Sequence, residues 1–279
     1  MRWVVISTPM NDLKFGISGI PHGDRKMKYP EGIDFLKKYG LDAMELPFVR
    51  SVNVTDNNRE AILLMKNTHD FYLSAHGSYF INLNAEDREK KEASKERILK
   101  GAAALKSVGG RSLVFHAGYY LKNTREETLS TIIKELHTLP DLGVTYRLET
   151  TGKETQFGNL SELITISREV PTCGICVDFS HINARYNGAL KSYDDFARIL
   201  DEIGSALGQR ALDDMHIHIS GINYGPKGEK NHLPMIESDF LYKECLQALK
   251  AFNVGGCVIC ESPILETDGI LLKEYYRTL

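Results

Sequence analysis

The sequence has 279 residues, of which 42% are hydrophobic and 25% are charged. These ordinary values exclude disordered, collagen-like and low-complexity chains, and the length suits a single α/β barrel of about 250 residues. The formal net charge of −3 at pH 7 argues against binding of nucleic acid through bulk basicity, so any site for a polyanion must be local.

Apolar runs and cysteine usage indicate the cellular compartment of the protein. No run of 18 apolar residues occurs, which predicts no membrane span, and the early apolar stretch Trp3–Ile6 is too short for the core of a signal peptide. We therefore expect a cytoplasmic protein. The five cysteines are odd in number and widely spread, so we interpret them as free thiols.

Short strand-like runs recur along the whole chain with helix-length segments between them. Eight such runs are predicted: Phe15–Ser18, Ala43–Leu46, Tyr72–His76, Ser112–His116, Tyr146–Glu149, Gly174–Asp178, Met215–Ser220 and Gly256–Glu261. Helices are predicted at 86–108, 124–139, 160–169, 193–207 and 239–252. Because no linker divides the chain, the pattern favours one closed (β/α)8 TIM barrel over residues 1–279 rather than an open sheet with edges.

Residues that can bind a metal end most of these strands. Each of the last six runs contains a His or a carboxylate, which is the final residue in five of them: His76, His116, Glu149, Asp178, His216 and Glu261. Glu45 lies near the end of the second strand. The carboxyl ends of barrel strands converge at one face, so these side chains should meet in one pocket.

Three further donors follow these strands in loops: His181, Glu229 and His232. Mixed imidazole and carboxylate donors without thiolate suit zinc, and also manganese or iron. Nine donors exceed the needs of one ion and predict a cluster of two or three, which typically serves phosphoester cleavage. His218 lies on the same strand face as His216 and could equally bond a neighbouring carboxylate, so we leave it outside the predicted ligand set.

Two CxxC pairs offer a competing zinc site, Cys173 with Cys176 and Cys257 with Cys260. Each pair falls in or beside a strand, where residues three apart point to opposite faces. Both sulfurs of one pair could not reach the same ion, so this alternative is disfavoured.

The motifs around the strand ends resemble endonuclease IV, a family of TIM-barrel enzymes that cut DNA at abasic sites with three zinc ions. The resemblance rests on segments 74–83, 114–118, 148–152, 174–181, 215–216 and 260–263, in that order. The wider superfamily includes xylose isomerase-like sugar isomerases and epimerases, which share looser forms of these motifs.

The resemblance assigns the donors to three ions. It implies that His76, His116 and Glu149 hold the first, and that Glu149 bridges to a second held by Asp178, His216 and Glu261. His181 and His232 would hold the third. The family's Asp-x-His pattern is broken here, because Lys230 stands two residues before His232 and Glu229 stands three before it. The third ion is then lost, weakened or held by Glu229.

The resemblance also implies a DNA-facing loop. Family members insert an aromatic–aliphatic pair into the damaged duplex, and Tyr79-Phe80 stands at that position; capping of the barrel mouth by the two rings is the alternative. Wedging apolar groups into a base stack costs least where a base is missing, which would supply lesion selectivity. Arg50 could contact a phosphate or the orphaned base, or be a surface charge.

Three functions remain open from the sequence. The first is zinc-dependent hydrolysis of the phosphodiester 5′ to an abasic site in double-stranded DNA, by a cytoplasmic monomer in which Glu149 and Glu261 position the ions and the attacking water. The second is a metal-dependent isomerase or epimerase of a small sugar, with Glu149 and Glu261 moving the proton. The third is a metal-containing protein that binds damaged DNA without cutting it.

Overall fold

The structure, a computed structural model, describes residues 12–279. Its strands in chain order are β1 (Leu13–Ser18), β2 (Ala43–Pro47), β3 (Tyr72–His76), β4 (Ser112–Phe115), β5 (Thr145–Glu149), β6 (Cys173–Asp178), β7 (Met215–Ile219), β8 (Gly221–Gly225), β9 (Gly228–Leu233) and β10 (Gly256–Cys260). Strands β1 to β7 and β10 form a closed parallel barrel in which β10 pairs with both β7 and β1. The predicted TIM barrel is confirmed.

Helices cover the outside of the barrel. They are α1 (Tyr29–Lys38), α2 (Arg59–Thr68), α3 (Arg88–Ser107), α4 (Arg125–Leu136), α5 (Leu160–Glu169), α6 (Phe179–Arg185), α7 (Tyr193–Leu207), α8 (Gln209–Asp213), α9 (Tyr242–Ala251) and α10 (Glu266–Thr278). The five helices predicted from sequence are α3, α4, α5, α7 and α9, with ends that agree within three residues. Their starts follow from local capping: the Thr124 hydroxyl accepts from Glu127 N–H, and Asn159 does the same for Glu162.

The inside of the barrel contains buried polar residues as well as apolar ones. The large apolar core includes the residues between the strands and the helices. A second, small cluster on the inward faces of the strands consists of Ala43, Tyr72, Cys257 and Ile259. Beside that cluster the interior buries Glu45, Ser74, His216 and His218. Ser74 on β3 contacts Glu45 on the neighbouring strand β2. His216 lies on β7, which is not a neighbour of β2 in the sheet, so its contact with Glu45 crosses the barrel interior.

An antiparallel hairpin, β8–β9, lies outside the barrel wall. It occupies the segment between β7 and α9, for which the sequence predicts no strand or helix. Because β7 pairs directly with β10, the hairpin is not needed for closure. It is anchored instead to the loop after β5, where Glu229 N–H donates to the Gly152 carbonyl at 3.0 Å.

The remaining expectations concern cysteines and membranes. All five cysteines are free, as predicted, and the structure buries each of them. Among residues 12–279 no helix is long and apolar enough to cross a bilayer. The segment Trp3–Ile6 lies outside the described residues.

Candidate metal centre

The carboxyl-terminal ends of the strands surround a cavity of about 390 Å³. Seven of the nine predicted donors line this cavity: His76, His116, Glu149, His181, Glu229, His232 and Glu261. The other lining residues are Ser18, Ser78, Tyr79, Ile81, Gly118, Tyr119, Lys153 and Gln156. Lys153 and Tyr119 were not predicted to be part of the site. They lie in the loops after β5 and β4, where single polar residues carry no motif of their own.

The first group of donors joins β3, β4 and β5. His76 Nε2 lies 3.0 Å from Glu149 Oε2, and His116 Nε2 lies 2.8 Å from the same oxygen. One ligand atom from each of the three residues lies within 4.8 Å of the others. His76, His116 and Glu149 are thus close enough to hold one cation, which is the grouping that the resemblance to endonuclease IV implies.

The second group contains Glu149, Asp178 and Glu261 together with His218. His218 Nδ1 lies 3.2 Å from Glu149 Oε1 and 3.5 Å from Glu261 Oε2. The resemblance to endonuclease IV implies His216 as the histidine of this group and does not include His218. In the structure, His218 is the imidazole that lies beside Glu149 and Glu261.

His216 lies one layer deeper in the barrel. Both histidines point inward because they are two residues apart on β7, but His216 is farther from the end of the strand. Its Nε2 atom lies 2.9 Å from Glu45 Oε2, and its Nδ1 atom lies 3.3 Å from Cys257 Sγ. His216 thus contacts buried interior residues rather than the cavity.

The third group is built around the start of α6. Asp178 caps this helix by accepting the N–H of His181 at 2.6 Å, which brings the His181 ring back over the end of β6. Ligand atoms of Asp178, His181 and His232 lie within 4.8 Å of one another. His232 is held by a contact of its Nδ1 with the Glu261 carbonyl at 3.0 Å.

A β-bulge brings Glu229 to the same group. Ile222 pairs with His232 and Tyr224 pairs with Glu229, so Lys230 is an extra residue in β9. Paired residues of an antiparallel ladder share a face, and Ile222 and Tyr224 are two apart. Glu229 therefore shares a face with His232, and its Oε2 atom lies 3.5 Å from His181 Nε2.

Two glycines allow the β8–β9 hairpin to lie close to the loop after β5. A Cβ added at Gly152 would lie 2.7 Å from the Cβ of Glu229 and 3.1 Å from the His181 ring. Gly228 has φ +89°, and a Cβ there would lie 2.2 Å from the Gly152 carbonyl oxygen. Larger residues at either position would separate Glu229 from His181.

Buried charges perturb the ionisation of the donors. Burial opposes charge on His76, but the hydrogen bond and negative charge of Glu149 outweigh it and raise the pKa of His76 to about 9. Likewise, burial opposes charge on Glu149, yet the surrounding imidazoles hold its pKa well below the usual value. For Asp178 burial dominates and raises the pKa. The positive charge of the protonated imidazoles thus compensates the negative charge of the carboxylates, as bound cations would.

The donor set fits divalent cations. Asp178 Oδ2 is fully buried and has no hydrogen-bond partner among the described residues, although it lies 3.3 Å from His181 Nδ1. A buried carboxylate oxygen without a partner is costly unless a cation or proton occupies its lone pairs. Imidazole and carboxylate ligands at adjacent positions are the set that zinc and manganese bind.

The predicted DNA-contacting residues lie at or near the mouth of this cavity. Tyr79 and Phe80 follow β3 and are 63% and 68% exposed, which is unusual for aromatic rings. Tyr79 also forms part of the cavity wall, and its ring packs against that of His76 with 5.6 Å between the ring centroids. Tyr79 N–H donates to the Val49 carbonyl, so this loop is tied to the loop after β2. Arg50, in that second loop, is exposed and is not part of the cavity wall.

Comparison with known proteins identifies the family. The chain belongs to the xylose isomerase-like TIM barrel family, whose model matches residues 33–274. A protein of Methanocaldococcus jannaschii, described as uncharacterized, is 43% identical over 274 residues, which cover 96% of this chain and 98% of that protein.

Two solved structures of different activities are similar to this fold. Endonuclease IV from Thermus thermophilus superposes with a TM-score of 0.73 at 17% identity, covering 95% of this chain and 100% of its own. A D-tagatose 3-epimerase-like protein also has a TM-score of 0.73, at 20% identity, covering 95% of this chain and 98% of its own. The fold alone therefore does not distinguish an endonuclease from an epimerase.

Proposed function

We propose that this protein is a metal-dependent phosphodiesterase that cuts double-stranded DNA on the 5′ side of abasic sites. The observation that carries the proposal is the pair of donor groups on either side of the Glu149–Asp178–His218–Glu261 group. His76 and His116 extend the site towards β3 and β4, while His181, His232 and Glu229 extend it towards the hairpin. A site for one cation would need neither extension.

Divalent ions in these positions would lower the pKa of water and neutralise charge that develops on a phosphodiester. Glu149 would bridge the first two positions, because its two oxygens face different imidazoles: Oε2 lies near His116 and Oε1 near His218. Glu261 would orient water and the second ion from the opposite side. Zinc is the expected ion, with manganese or iron as substitutes.

Charge at the mouth is consistent with DNA binding despite the net charge of −3. Two or three divalent ions would offset the site's carboxylates locally, so a phosphate need not meet a negative cavity. Tyr79 and Phe80 would enter the duplex where a base is missing, and Arg50 would contact a phosphate beside it. The expected partner is damaged double-stranded DNA, bound by one protein molecule.

The test is incision of a duplex that carries a tetrahydrofuran abasic analogue. We expect cutting 5′ to the analogue by zinc- or manganese-loaded protein, none on the intact duplex, and loss of cutting after chelation. Lack of incision at saturating zinc and saturating manganese would refute the proposal. Tight binding to the lesion without cutting would instead indicate a non-catalytic DNA-binding protein.

A sugar epimerase or isomerase is the second candidate. It is favoured by the presence of both Glu149 and Glu261 within one four-residue donor group, since two carboxylates at a metal could move a proton on either face of a small sugar. Conversion of ketohexoses by manganese-loaded protein, followed by chromatography, tests it. Product formation from a ketohexose in the absence of DNA incision would establish this alternative.

A further inference from the structure

Glu45 is a buried carboxylate below the candidate metal centre, and the proposed function gives it no role. It lies on β2 inside the barrel and is fully buried. Ser74 Oγ donates to its Oε2 atom at 2.9 Å, and His216 Nε2 lies 2.9 Å from the same atom. Its other oxygen, Oε1, faces His218 Nε2 at 3.1 Å.

His218 is therefore located between two sets of carboxylates. Its Nδ1 atom faces Glu149 and Glu261 in the metal centre, and its Nε2 atom faces Glu45. Glu45 Oε1 and His218 Nε2 are both buried, and neither has hydrogen-bond geometry with any described residue. Two buried polar atoms that face each other at this distance become satisfied together if a proton lies between them.

We propose that Glu45 is a positioning residue that orients His218 for metal binding through Nδ1. A cation at Nδ1 leaves the ring proton on Nε2, where the carboxylate within reach is that of Glu45. Accepting this proton fixes the tautomer, holds the ring in place and makes the imidazole a stronger ligand. The inference rests on the metal centre of the proposed function and does not depend on the substrate.

His216 supports this arrangement from below. It contacts Oε2 of Glu45 through Nε2, while its Nδ1 atom contacts Cys257 Sγ. Together with Ser74, it leaves the Glu45 carboxylate little freedom to turn away from His218. His216 thus acts on the metal ligand His218 indirectly, through Glu45.

The test compares metal binding by the wild type and Glu45→Gln, which keeps the shape and removes the charge. The matched control is Glu162→Gln, since Glu162 is also a buried carboxylate but bonds Tyr120 outside the cavity. Each metal-free protein is titrated with Co²⁺ against a competing chelator, with the visible spectrum and the far-ultraviolet circular dichroism recorded.

We expect Glu45→Gln to remain folded and to bind one equivalent of Co²⁺ about 10- to 100-fold more weakly, with a changed visible spectrum. The other equivalents and the Glu162→Gln control should match the wild type. Equal affinities and spectra for all equivalents in the two variants would overturn the proposal, because a purely structural Glu45 would leave them unchanged.

A measurement on the wild type covers the case in which Glu45→Gln fails to fold. Zinc-loaded protein labelled with ¹⁵N-histidine is studied by long-range ¹H–¹⁵N correlation, which reports the tautomer of each ring. We expect one zinc-bound histidine with the metal on Nδ1 and a slowly exchanging proton on Nε2. Zinc binding through Nε2 by every ligand histidine would overturn the proposal.

These outcomes are separable from the proposed DNA cleavage. Neither the Co²⁺ titration nor the histidine NMR measurement uses DNA, so a failed incision assay would leave both results unaffected. Absence of Co²⁺ and zinc binding by the wild type would refute the metal centre itself, and the positioning role with it.

Discussion

Glu229 and His232 lie on the same face of strand β9 although they are three residues apart, because Lys230 is an extra residue that bulges out of the ladder. In a regular strand, residues three apart point to opposite faces. The bulge therefore gives a Glu-x-x-His segment the geometry that an Asp-x-His segment has in a regular strand. Lys230 occupies the place in the sequence where the resemblance to endonuclease IV predicts a carboxylate, but Glu229 is the residue that reaches His181.

We predict from this relationship that Glu229→Gln lowers the number of tightly bound zinc ions by one. The amide has the same shape but is a much weaker ligand than the carboxylate. Elemental analysis after gel filtration measures the loss. Lys230→Ala is the matched control and should keep the wild-type zinc content; loss of zinc from Lys230→Ala but not from Glu229→Gln would contradict the geometry.

The two histidines of β7 should respond differently to substitution. His218→Asn removes a donor from the four-residue group and should lose one equivalent of metal. His216→Asn should keep the full metal content, but should destabilise the protein by about 1–3 kcal/mol because it leaves Glu45 short of a buried partner. Metal analysis and urea unfolding of both variants test this, and a reversed pattern would restore His216 as the ligand.

The metal-free protein should lose stability as the pH rises above neutrality. The pKa of His76 is raised from 6.5 to about 9 in the folded protein, with the Glu149 carboxylate outweighing burial. Charged His76 therefore stabilises the fold fully below about pH 6.5, and this contribution, on the order of 3 kcal/mol, disappears as the pH rises through about 9.

Urea unfolding between pH 6 and 9.5 in the presence of a chelator measures this loss. Zinc binds the neutral imidazole, so the zinc-loaded protein should not show the same decline. His76→Gln removes the titrating group and should flatten the metal-free curve. A metal-free wild type whose stability is constant or rises over this range would show that His76 is neutral in the folded protein.

Exposed aromatic rings near the cavity should contribute to recognition of the lesion. Phe80→Ala and Tyr79→Ala should each weaken binding to an abasic duplex by about 1–3 kcal/mol, which is the usual contribution of an aromatic ring stacked on a base. Binding to an intact duplex and zinc content should change little. Fluorescence anisotropy with labelled duplexes measures the difference.

Leu64→Ala is the control for this pair, because Leu64 is an exposed apolar residue on the outer helix α2. Its substitution should leave both duplex affinities unchanged. If Phe80→Ala and Tyr79→Ala also retain wild-type affinity for the abasic duplex, the two rings only cap the barrel mouth.

The sequence predicted the barrel well because each strand unit repeats a local signal. Strands such as Tyr72–His76 are short runs that are buried along their whole length, and the helices between them have amphipathic and capping patterns that do not depend on distant residues. The strand-end donors were also predictable, since the geometry of a parallel barrel places the carboxyl ends together.

The sequence is least informative where distant parts of the chain decide the outcome. His216 and His218 share one strand face, so the sequence does not show which of the two lies nearer the carboxyl-terminal end of the barrel and its cavity. Glu45 contacts His216 from 171 residues away, and no local pattern signals that contact. The hairpin segment is polar and glycine-rich, with no alternating apolar pattern that would predict strands.

The position of the β8–β9 hairpin outside the wall has an evolutionary consequence. Barrel closure depends on β7 meeting β10 and places no demand on the intervening segment 221–233, yet this segment supplies both Glu229 and His232. We expect changes in this segment to disturb the barrel less than changes in its strands. A lineage can thus add or delete a cation position, and with it alter the chemistry at the mouth, through variation confined to one insertion.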